Sequence, residues 1–508
     1  MSATNLVAFD LGAESGRAVL GRLEAGRLTL TELHRFANTP VRMNGHLHWN
    51  LPTLWENLKQ GLRKAVAATG TSGPCPNAAG SPGGSGVLHG LGVDTWGVDF
   101  GLLDRSGEIL GLPVCYRDSR TDGIMERTFR RVSRERIFQA TGIQFMQFNT
   151  LFQLLAMRES GCGLLDAADR LLMMPDLLHY LFTGRVENEF SAASTTQMYD
   201  PRKKDWARDL LLELNLPTGI LGNIVPCGTV LGPLSDEVAA ECNIAPVPVI
   251  TPASHDTGSA VASVPAEDTD WCYISSGTWS LMGVELAEPI INEKSLRYNY
   301  TNEGGVGGSI RFLKNIMGLW PVQECRRHWT AQGQDHTYND LTAMARQAPA
   351  FLAIVDPDHQ PFLAPGDMPG KIAQFCRQTR QKAPSSKGEF VRVCLEGLAL
   401  AYRRTLEGLE DVLGRRIGVI HIVGGGSQNQ MLNQMAADAC GRPVVAGPVE
   451  ATAIGNLLCQ AMAIGQVGSL AEARAIVRAS FDVKRYEPRP DARWAEAYER
   501  FRAVSGKS

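Results

Sequence analysis

The stretch FDLGAESGR, residues 9–17, predicts how the first half of the chain folds. An apolar run at residues 6–9 ends on Asp10, and a glycine-bearing turn leads into a second apolar run. The segment that follows, RAVLGRLEAGRLTLTELHRF, predicts a hairpin or meander with a turn at residues 24–26. Asp10 either caps the turn, as aspartates often do, or holds Mg²⁺ or its waters. Arg17 is either a surface cation or a phosphate partner.

A second turn of the same kind occurs in WCYISSGTWSLMGVEL, residues 271–286, which predicts a strand, a turn and a strand. The two turns share little sequence identity, so the repetition is architectural rather than a sequence repeat. Glycine lets a ligand approach the backbone closely, and successive N–H groups form an anion-binding nest. The pattern therefore predicts two α/β halves that hold a nucleotide between their turns.

The remaining elements fit two large domains, because single cores stop growing near about 250–300 residues and the chain has 508. Residues 69–86 are rich in Gly, Pro, Ser and Ala and predict a flexible surface loop. Helix is predicted at 51–68 and 395–412, and mostly helix at 124–220. Residues 87–111 predict a strand, a turn, another strand and a tight turn at 105–107. Further strands are predicted near residue 249 and in IGVIHIV and PVVAG.

The composition is that of an ordinary soluble enzyme, with a net charge of −3 and 20% charged residues. No basic stripe predicts a nucleic-acid partner, and no cluster of Lys and Arg predicts a membrane surface. No secretory signal or long apolar span is evident. The eleven cysteines are scattered and never spaced Cys-x-x-Cys, which favours a reducing cytoplasm.

The sequence contains no Walker loop and no G-x-G-x-x-G after a strand, but three other patterns indicate possible sites. Ser254, His255 and Asp256 lie between a strand and a helix start. One interpretation is that Ser254 or Asp256 caps the helix, and the other is that Asp256 acts as a general base. Residues 424–426, GGG, form either a simple turn or a surface for a flat ligand. His46 and His48 lack further donors and are interpreted as structural.

A series of sequence blocks resembles a known family. In order along the chain they are FDLGAESGR, GVDTWGVDF, YRDSRTDG, GIQFMQFNT, MMPDLLHYLFTG, SHDT, SSGTWSLMG, TNEGG, LKNIMGLW, HIVGGGSQN and AGPVEATAIGN. Together they resemble the FGGY carbohydrate kinases from residue 9 to about residue 456. DTWGVDF, LKNIMGLW and TNEGG resemble the branch of that family that acts on L-rhamnulose.

The resemblance implies an α/β fold of two actin/hexokinase-type (ribonuclease H-like) ATPase domains with a cleft between them. It implies a sugar-side N-terminal domain at 1–250, a nucleotide-side C-terminal domain at 251–485 and a C-terminal helical tail at 486–508. The implied reaction transfers the γ-phosphoryl group of ATP, with Mg²⁺, to O1 of L-rhamnulose. The implied partners are the sugar and ATP, in a monomer or weak homodimer.

Site residues follow from the resemblance position by position. Asp256 would be the catalytic base, and Asp10 would face Mg²⁺ through water. The sugar would contact Gly97, His255, Asp256, Thr257 and Asn315. ATP would contact Ala13, Glu14, Ser15, Gly16, Arg17, Thr278, Gln323 and Gly425. A second carboxylate near a triphosphate is unfavourable, so Glu14 is expected to act through its backbone N–H.

Alternatives remain open on sequence grounds. One or two pocket residues could redirect the enzyme to fuculose, xylulose or glycerol. A non-catalytic actin-like ATPase or sugar sensor is a different class, but it would have no need of a base at Asp256.

Overall fold

The computed structural model describes residues 3–70 and 87–505. Its strands are β1 (Thr4–Leu11), β2 (Ser15–Glu24), β3 (Arg27–Ala37), β4 (Val41–Met43), β5 (His46–His48), β6 (Leu88–Thr95), β7 (Phe100–Leu103), β8 (Arg170–Met173), β9 (Asn188–Glu189), β10 (Tyr199–Asp200), β11 (Asp205–Trp206), β12 (Ile224–Val225), β13 (Val230–Pro233), β14 (Pro248–Ile250), β15 (Trp271–Ser276), β16 (Trp279–Leu286), β17 (Thr301–Gly304), β18 (Ile310–Met317), β19 (Val419–Val423), β20 (Val444–Ala446) and β21 (Lys484–Tyr486).

Its helices are α1 (Leu51–Thr69), α2 (Ile124–Phe129), α3 (Arg134–Thr141), α4 (Thr150–Glu159), α5 (Leu164–Ala167), α6 (Met174–Thr183), α7 (Phe190–Ser194), α8 (Arg208–Glu213), α9 (Asp236–Cys242), α10 (Asp256–Ala262), α11 (Glu293–Tyr298), α12 (Trp320–Ala331), α13 (Tyr338–Gln347), α14 (Met368–Gln378), α15 (Lys387–Leu413), α16 (Gln430–Cys440), α17 (Ala451–Ala463), α18 (Leu470–Ser480) and α19 (Arg493–Val504).

The two large sheets are built on one plan. The first has the order β13-β14-β6-β1-β2-β3, and the second has β17-β18-β16-β15-β19-β20-β21. In each sheet three strands form an antiparallel meander, β1-β2-β3 or β15-β16-β18. Two parallel strands then extend the first strand of the meander, β6 and β14 or β19 and β20. This repeated arrangement confirms the expected α/β fold of two ribonuclease H-like halves.

Helices α10 and α17 join the halves, because each follows a strand of one sheet and packs against the other. Ile454 and Leu457 of α17 share a core with Leu6 and Val19 of the first sheet. In the same way α10 packs through Val261 on the strands of the second sheet. Apolar burial of this kind is the main attraction between packed elements, so it fixes the relative placement of the two sheets.

Local signals in the sequence explain where the long helices begin and end. The Asn50 side chain accepts a hydrogen bond from the Thr53 N–H at the start of α1, and Gly70 ends that helix in the left-handed conformation at φ 74°. Ser386 and Glu389 form a capping box at the start of α15. That helix therefore begins at Lys387, and the prediction that it starts at residue 395 was wrong because it followed apolar spacing alone.

Other predictions were confirmed or corrected in detail. The strand–turn–strand predictions at residues 9–24 and 271–286 were confirmed, as was the mostly helical character of 124–220, although β8 to β11 were missed. The predicted loop at 69–86 begins too early, since Thr69 still belongs to α1. Residues 71–86 lie outside the described part of the chain.

The C-terminal segment is integrated with the second half. Strand β21 pairs with β20, and Trp494 and Phe501 of α19 enter the core of the second half. In the described ranges no helix is long and apolar enough to cross a membrane. The ten cysteines within those ranges are free thiols.

Candidate active site

A cavity of about 270 Å³, which we call the central cavity, lies between the two halves. Its walls come from both sheets and from the helix start at residue 256, so it brings together most of the residues predicted from the sequence. Those predicted residues that line it are Asp10, Ala13, Arg17, Gly97, His255, Asp256, Thr257, Thr278, Asn315 and Gly425.

We name the two turns that the sequence predicts to face phosphates the first and second phosphate turns. The first connects β1 to β2, and the Gly12 N–H donates to the Ser15 carbonyl at 2.9 Å to close it. Asp10 and Arg17 lie opposite each other across these strands, and Arg17 Nε donates to Asp10 Oδ2 at 2.9 Å. Arg17 also forms an ion pair with Glu450 at the start of α17. Burial opposes the charged guanidinium, but Asp10 and Glu450 outweigh that effect and raise the pKa of Arg17.

The second phosphate turn connects β15 to β16 and is supported by α12. The Gly277 N–H donates to the Trp279 carbonyl at 2.8 Å, and the Trp320 N–H donates to the Thr278 carbonyl at 3.2 Å. The glycine run at 424–426 lies directly against this turn. A Cβ at Gly426 would lie only 2.0 Å from Ser276 Oγ, so the close approach of the two backbones requires glycine there.

Asp256 is the first residue of α10 and presents its carboxylate to the central cavity with about 30% of its side chain exposed. Thr257 Oγ1 donates to Asp256 Oδ1 at 3.0 Å, and His255 Nε2 lies 3.5 Å from the same oxygen. His255 occupies the N-cap position and no side chain caps the helix, so the capping interpretation of Ser254 and Asp256 is not supported. Burial raises the pKa of Asp256 above that of an ordinary aspartate.

The backbone that carries Asp256 is held by groups that the sequence reasoning missed. The Ser254 N–H donates to Glu189 Oε2 at 3.0 Å, and the His255 N–H donates to Ser191 Oγ at 3.0 Å. Ser191 Oγ in turn donates to Glu189 Oε2. The Thr95 N–H donates to the Ser254 carbonyl at 2.9 Å. Burial raises the pKa of Glu189, whose Oε2 accepts from Ser191 Oγ, the Ala192 N–H and the Ser254 N–H.

A buried ionic cluster lies behind His255. Its Nδ1 is 3.1 Å from Arg311 Nη2 and 3.3 Å from Glu303 Oε2. Burial opposes the Glu303 carboxylate, but His255 and Arg311 hold its pKa below the usual range. Glu303 lines the central cavity, so TNEGG contributes a carboxylate that the sequence analysis did not single out.

Asp94 is a third carboxylate near Asp10 and Asp256 that the sequence reasoning missed. It pairs with Asp10 in the parallel register of β1 and β6, at the carboxyl ends of both strands. Asn456 Nδ2 donates to Asp94 Oδ2 at 2.6 Å, while Oδ1 is buried without a hydrogen-bond partner among the described residues. Burial together with Asp10 raises the pKa of Asp94 well above its usual range.

The wall expected to face the sugar is formed by Gly97 and Asn315. A Cβ at Gly97 would lie 3.1 Å from the Thr195 methyl and 3.3 Å from His255 Nε2, so the glycine keeps this wall open. The Asn315 N–H and Nδ2 donate to Gln144 Oε1 at 2.7 and 3.1 Å, which orients the Asn315 amide. Both residues line the central cavity.

Four predicted nucleotide contacts do not line the central cavity. Glu14 directs Oε1 to Arg327 Nη2 at 3.0 Å, outside the cavity. Ser15 and Gly16 lie in β2 and pair with Ala37 and Phe36 of β3. Gln323 lies on α12, and its Oε1 is buried without a hydrogen-bond partner in the described ranges.

The histidine pair has structural contacts. His46 Nδ1 lies 3.0 Å from Asp118 Oδ1, and His48 Nδ1 lies 3.2 Å from the Leu112 carbonyl. Among the residues described, no group of three His, Cys, Asp or Glu side chains is placed to hold a metal by itself.

The class of protein follows from these features and from comparison with known families. Residues 5–262 match the N-terminal domain of the FGGY family of carbohydrate kinases, and residues 272–464 match its C-terminal domain. The chain belongs to the FGGY family of carbohydrate kinases. It is therefore a sugar kinase, which transfers a phosphoryl group.

Two rhamnulokinases and one solved structure are similar to this chain over nearly its whole length. A rhamnulokinase of Bacteroides thetaiotaomicron is 42% identical over 98% of this chain and 99% of its own length. A rhamnulokinase of Oceanobacillus iheyensis is 42% identical over 94% of this chain and 97% of its own length. The solved structure of ligand-bound xylulose kinase from Lactobacillus acidophilus matches the fold with a TM-score of 0.76 at 15% identity, covering 99% of this chain and 97% of that one.

Proposed function

We propose that this kinase transfers the γ-phosphoryl group of ATP to O1 of L-rhamnulose, forming L-rhamnulose 1-phosphate and ADP. The choice of sugar is supported by the curated relatives, which are rhamnulokinases over nearly the whole chain. The observation that carries the chemistry is Asp256, whose carboxylate opens into the cavity between two phosphate turns. Phosphoryl transfer needs little more from a protein than a positioned base and charge stabilisation.

In the proposed arrangement the sugar lies beside Gly97, His255, Thr257 and Asn315, and its reacting hydroxyl meets Asp256. The carboxylate accepts the hydroxyl proton as that oxygen attacks the γ-phosphorus. The hydrogen bonds to Ser254 and His255 fix the backbone, so the base is held in place before the sugar binds. The contacts of His255 with Glu303 and Arg311 hold the imidazole in place beside the sugar.

The nucleotide is proposed to lie between the two turns, mainly on the second half. Thr278 and Gly425 contact it there, while the backbone of residues 13–16 and the Arg17 guanidinium face its phosphates from the first half. Gln323 is proposed to contact the nucleotide from α12, where its unpaired Oε1 offers an acceptor. The N–H groups of both turns would offset charge on the transferring oxygens.

The carboxylates fit a divalent cation. Mg²⁺ is usually bound by one or two carboxylates together with substrate phosphates, so a complete set of protein ligands is not needed. Asp10 and Asp94 are adjacent at the strand ends, and Asp94 Oδ1 has no hydrogen-bond partner among the described residues. Asp10 would hold Mg²⁺ through water, and the cation would supply charge neutralisation at the phosphates.

The test is ADP release coupled to NADH oxidation, with L-rhamnulose, L-fuculose, L- and D-xylulose and glycerol as acceptors. The highest kcat/KM is expected for L-rhamnulose, and a higher value for another acceptor would contradict the assigned sugar. Asp256→Asn should lower kcat by about 10²–10⁴-fold while ATP still binds. An Asp256→Asn enzyme that keeps most of its kcat would remove the base from this role.

A further inference from the structure

A second cavity, which we call the side cavity, adjoins the first phosphate turn. Its volume is about 690 Å³, and it shares Ala13, Tyr116 and Phe148 with the central cavity. Its charged lining groups are Arg42, Arg117, Arg327, Glu14 and Asp122. Three cations therefore face two carboxylates in a cavity that shares part of its wall with the central cavity.

Arg117, in the block YRDSRTDG, has a charged side chain whose partner is not evident in the described part of the structure. Its neighbours in the block have partners: Asp118 accepts from the Leu47 N–H at 2.7 Å, and Arg120 donates to Gln153 at 2.6 Å. The Arg117 guanidinium lies 5.0 Å from the Tyr116 ring and 3.9 Å from the Trp320 ring. Its side chain has no hydrogen bond or ion pair within the described ranges, and Nη1 is buried.

A second guanidinium lies near the same indole, because Arg327 is 5.5 Å from the Trp320 ring. The charge of Arg327 is balanced by ion pairs with Glu14 and Glu324, whereas the charge of Arg117 has no such partner among the residues described. Arginine presents a planar fork of donors that matches a phosphate group.

The other charged lining groups do not fill this role. Arg42 Nη1 donates to the Gly45 carbonyl at 3.2 Å, and Asp122 Oδ1 accepts from Gln147 at 3.0 Å. Both carboxylates that face the cavity are thus engaged by other groups, which leaves the Arg117 fork without an anion.

We propose that Arg117, stacked on Trp320, forms a second phosphate-group site in the side cavity, separate from the nucleotide turns. Its ligand is a phosphate monoester or inorganic phosphate, bound by the Arg117 guanidinium. The inference rests on the proposed function only where it names L-rhamnulose 1-phosphate as the sugar phosphate. Because the two cavities share Ala13, Tyr116 and Phe148, such a site would lie next to the place where the anionic product forms.

The experiment is isothermal titration calorimetry on the full chain, saturated with Mg²⁺ and a non-hydrolysable ATP analogue so that the nucleotide turns are filled. Inorganic phosphate and L-rhamnulose 1-phosphate are titrated separately at constant ionic strength. Arg117→Met keeps the side-chain stem but removes the donors, and should weaken binding by about tenfold or more. Arg63→Met is the matched control, because Arg63 is exposed on α1 and paired with Glu56.

The two ligands distinguish the source of the anion. Tighter binding of the sugar phosphate identifies the product, whereas equal or tighter binding of inorganic phosphate identifies free phosphate, and either supports the site when Arg117→Met loses it. Arg117→Lys provides a second variant, which should bind more weakly than the wild type. No saturable binding to the wild type, or unchanged affinity in both Arg117 variants, would overturn the proposal. No turnover is involved, so the inorganic phosphate result stands even if L-rhamnulose is not the substrate.

Discussion

The contact between α10 and α17 makes Gly455→Ala the most informative single substitution. Gly455 lies on α17, and a Cβ there would be 1.7 Å from the Ser259 carbonyl oxygen of α10. An ordinary contact begins at 3.4 Å, so the helices would have to separate by about 1.7 Å. The atom that blocks the new methyl group is backbone, which cannot rotate away.

Both helices are tied down on either side of this contact. Asn456 Nδ2 donates a hydrogen bond to Asp94 Oδ2, and Gln460 Nε2 donates to the Val7 carbonyl at 2.9 Å. Ser259 Oγ donates to the Ala253 carbonyl at 2.8 Å. Relief of the clash therefore strains these hydrogen bonds, and overpacking of this kind costs about 1–3 kcal/mol of stability.

The substitution should also reduce activity, because Asp256 lies one turn before Ser259 on α10. A shift of about 1 Å in a catalytic group can cost roughly 10²-fold in rate. We expect a fall of about 2–12 °C in Tm by differential scanning calorimetry and a loss of about 10²-fold in kcat.

The matched control is Gly163→Ala, where an added Cβ meets nothing within 4 Å and the backbone φ is −67°. That variant should resemble the wild type in both measurements. If Gly455→Ala had the Tm and kcat of Gly163→Ala, the close helix contact would not be a determinant of stability or of the position of the base.

Three further predictions concern charged groups. Burial raises the pKa of Asp99 to about 6 from 3.8, so the folded state holds this proton more tightly and its contribution to stability falls as pH rises through that range. Asp99→Asn should remove this pH dependence. Because the amide offers fewer acceptor sites to the donors around it, the free energy of unfolding measured by urea denaturation should also fall by about 1–3 kcal/mol. An unchanged dependence of stability on pH would refute the assignment. Arg17→Met leaves Asp10 and Glu450 without their shared cation, so the Kd for ATP should rise about tenfold by calorimetry, and a change below twofold would count against it. Glu189→Ala removes the acceptor of the Ser254 N–H, so kcat should fall about tenfold or more with little change in KM for the sugar; a change in KM alone would contradict the positioning role.

The sequence allowed accurate prediction of features that depend on neighbouring residues. The turn after Asp10, the turn at Thr278 and the helix start at Asp256 all follow from apolar runs that end in small polar residues. The pairing of Asp10 with Arg17 is also local, because a short turn places them opposite each other.

Features that depend on distant pairing were not predicted. Asp94 joins Asp10 only because β6 lies parallel to β1, a pairing between strands that are far apart along the chain. Glu189 reaches Ser254 across 65 positions of the chain. Glu303 and Arg311 are ordinary charged residues by sequence, and only burial beside His255 shows their part in the site.

The charged groups of the site and the contact between the halves belong to one connected structure. Arg17 of the first sheet forms an ion pair with Glu450 at the start of α17, and Asn456, six residues further on, donates a hydrogen bond to Asp94 of the first sheet. A ligand that changes the charge around Asp10 and Asp94 therefore acts on the same helix that packs against α10 and Asp256. If the nucleotide binds at the strand ends as proposed, we expect its binding to be coupled to the placement of Asp256 through α17, because a change in charge repulsion at the strand ends changes the forces on that helix.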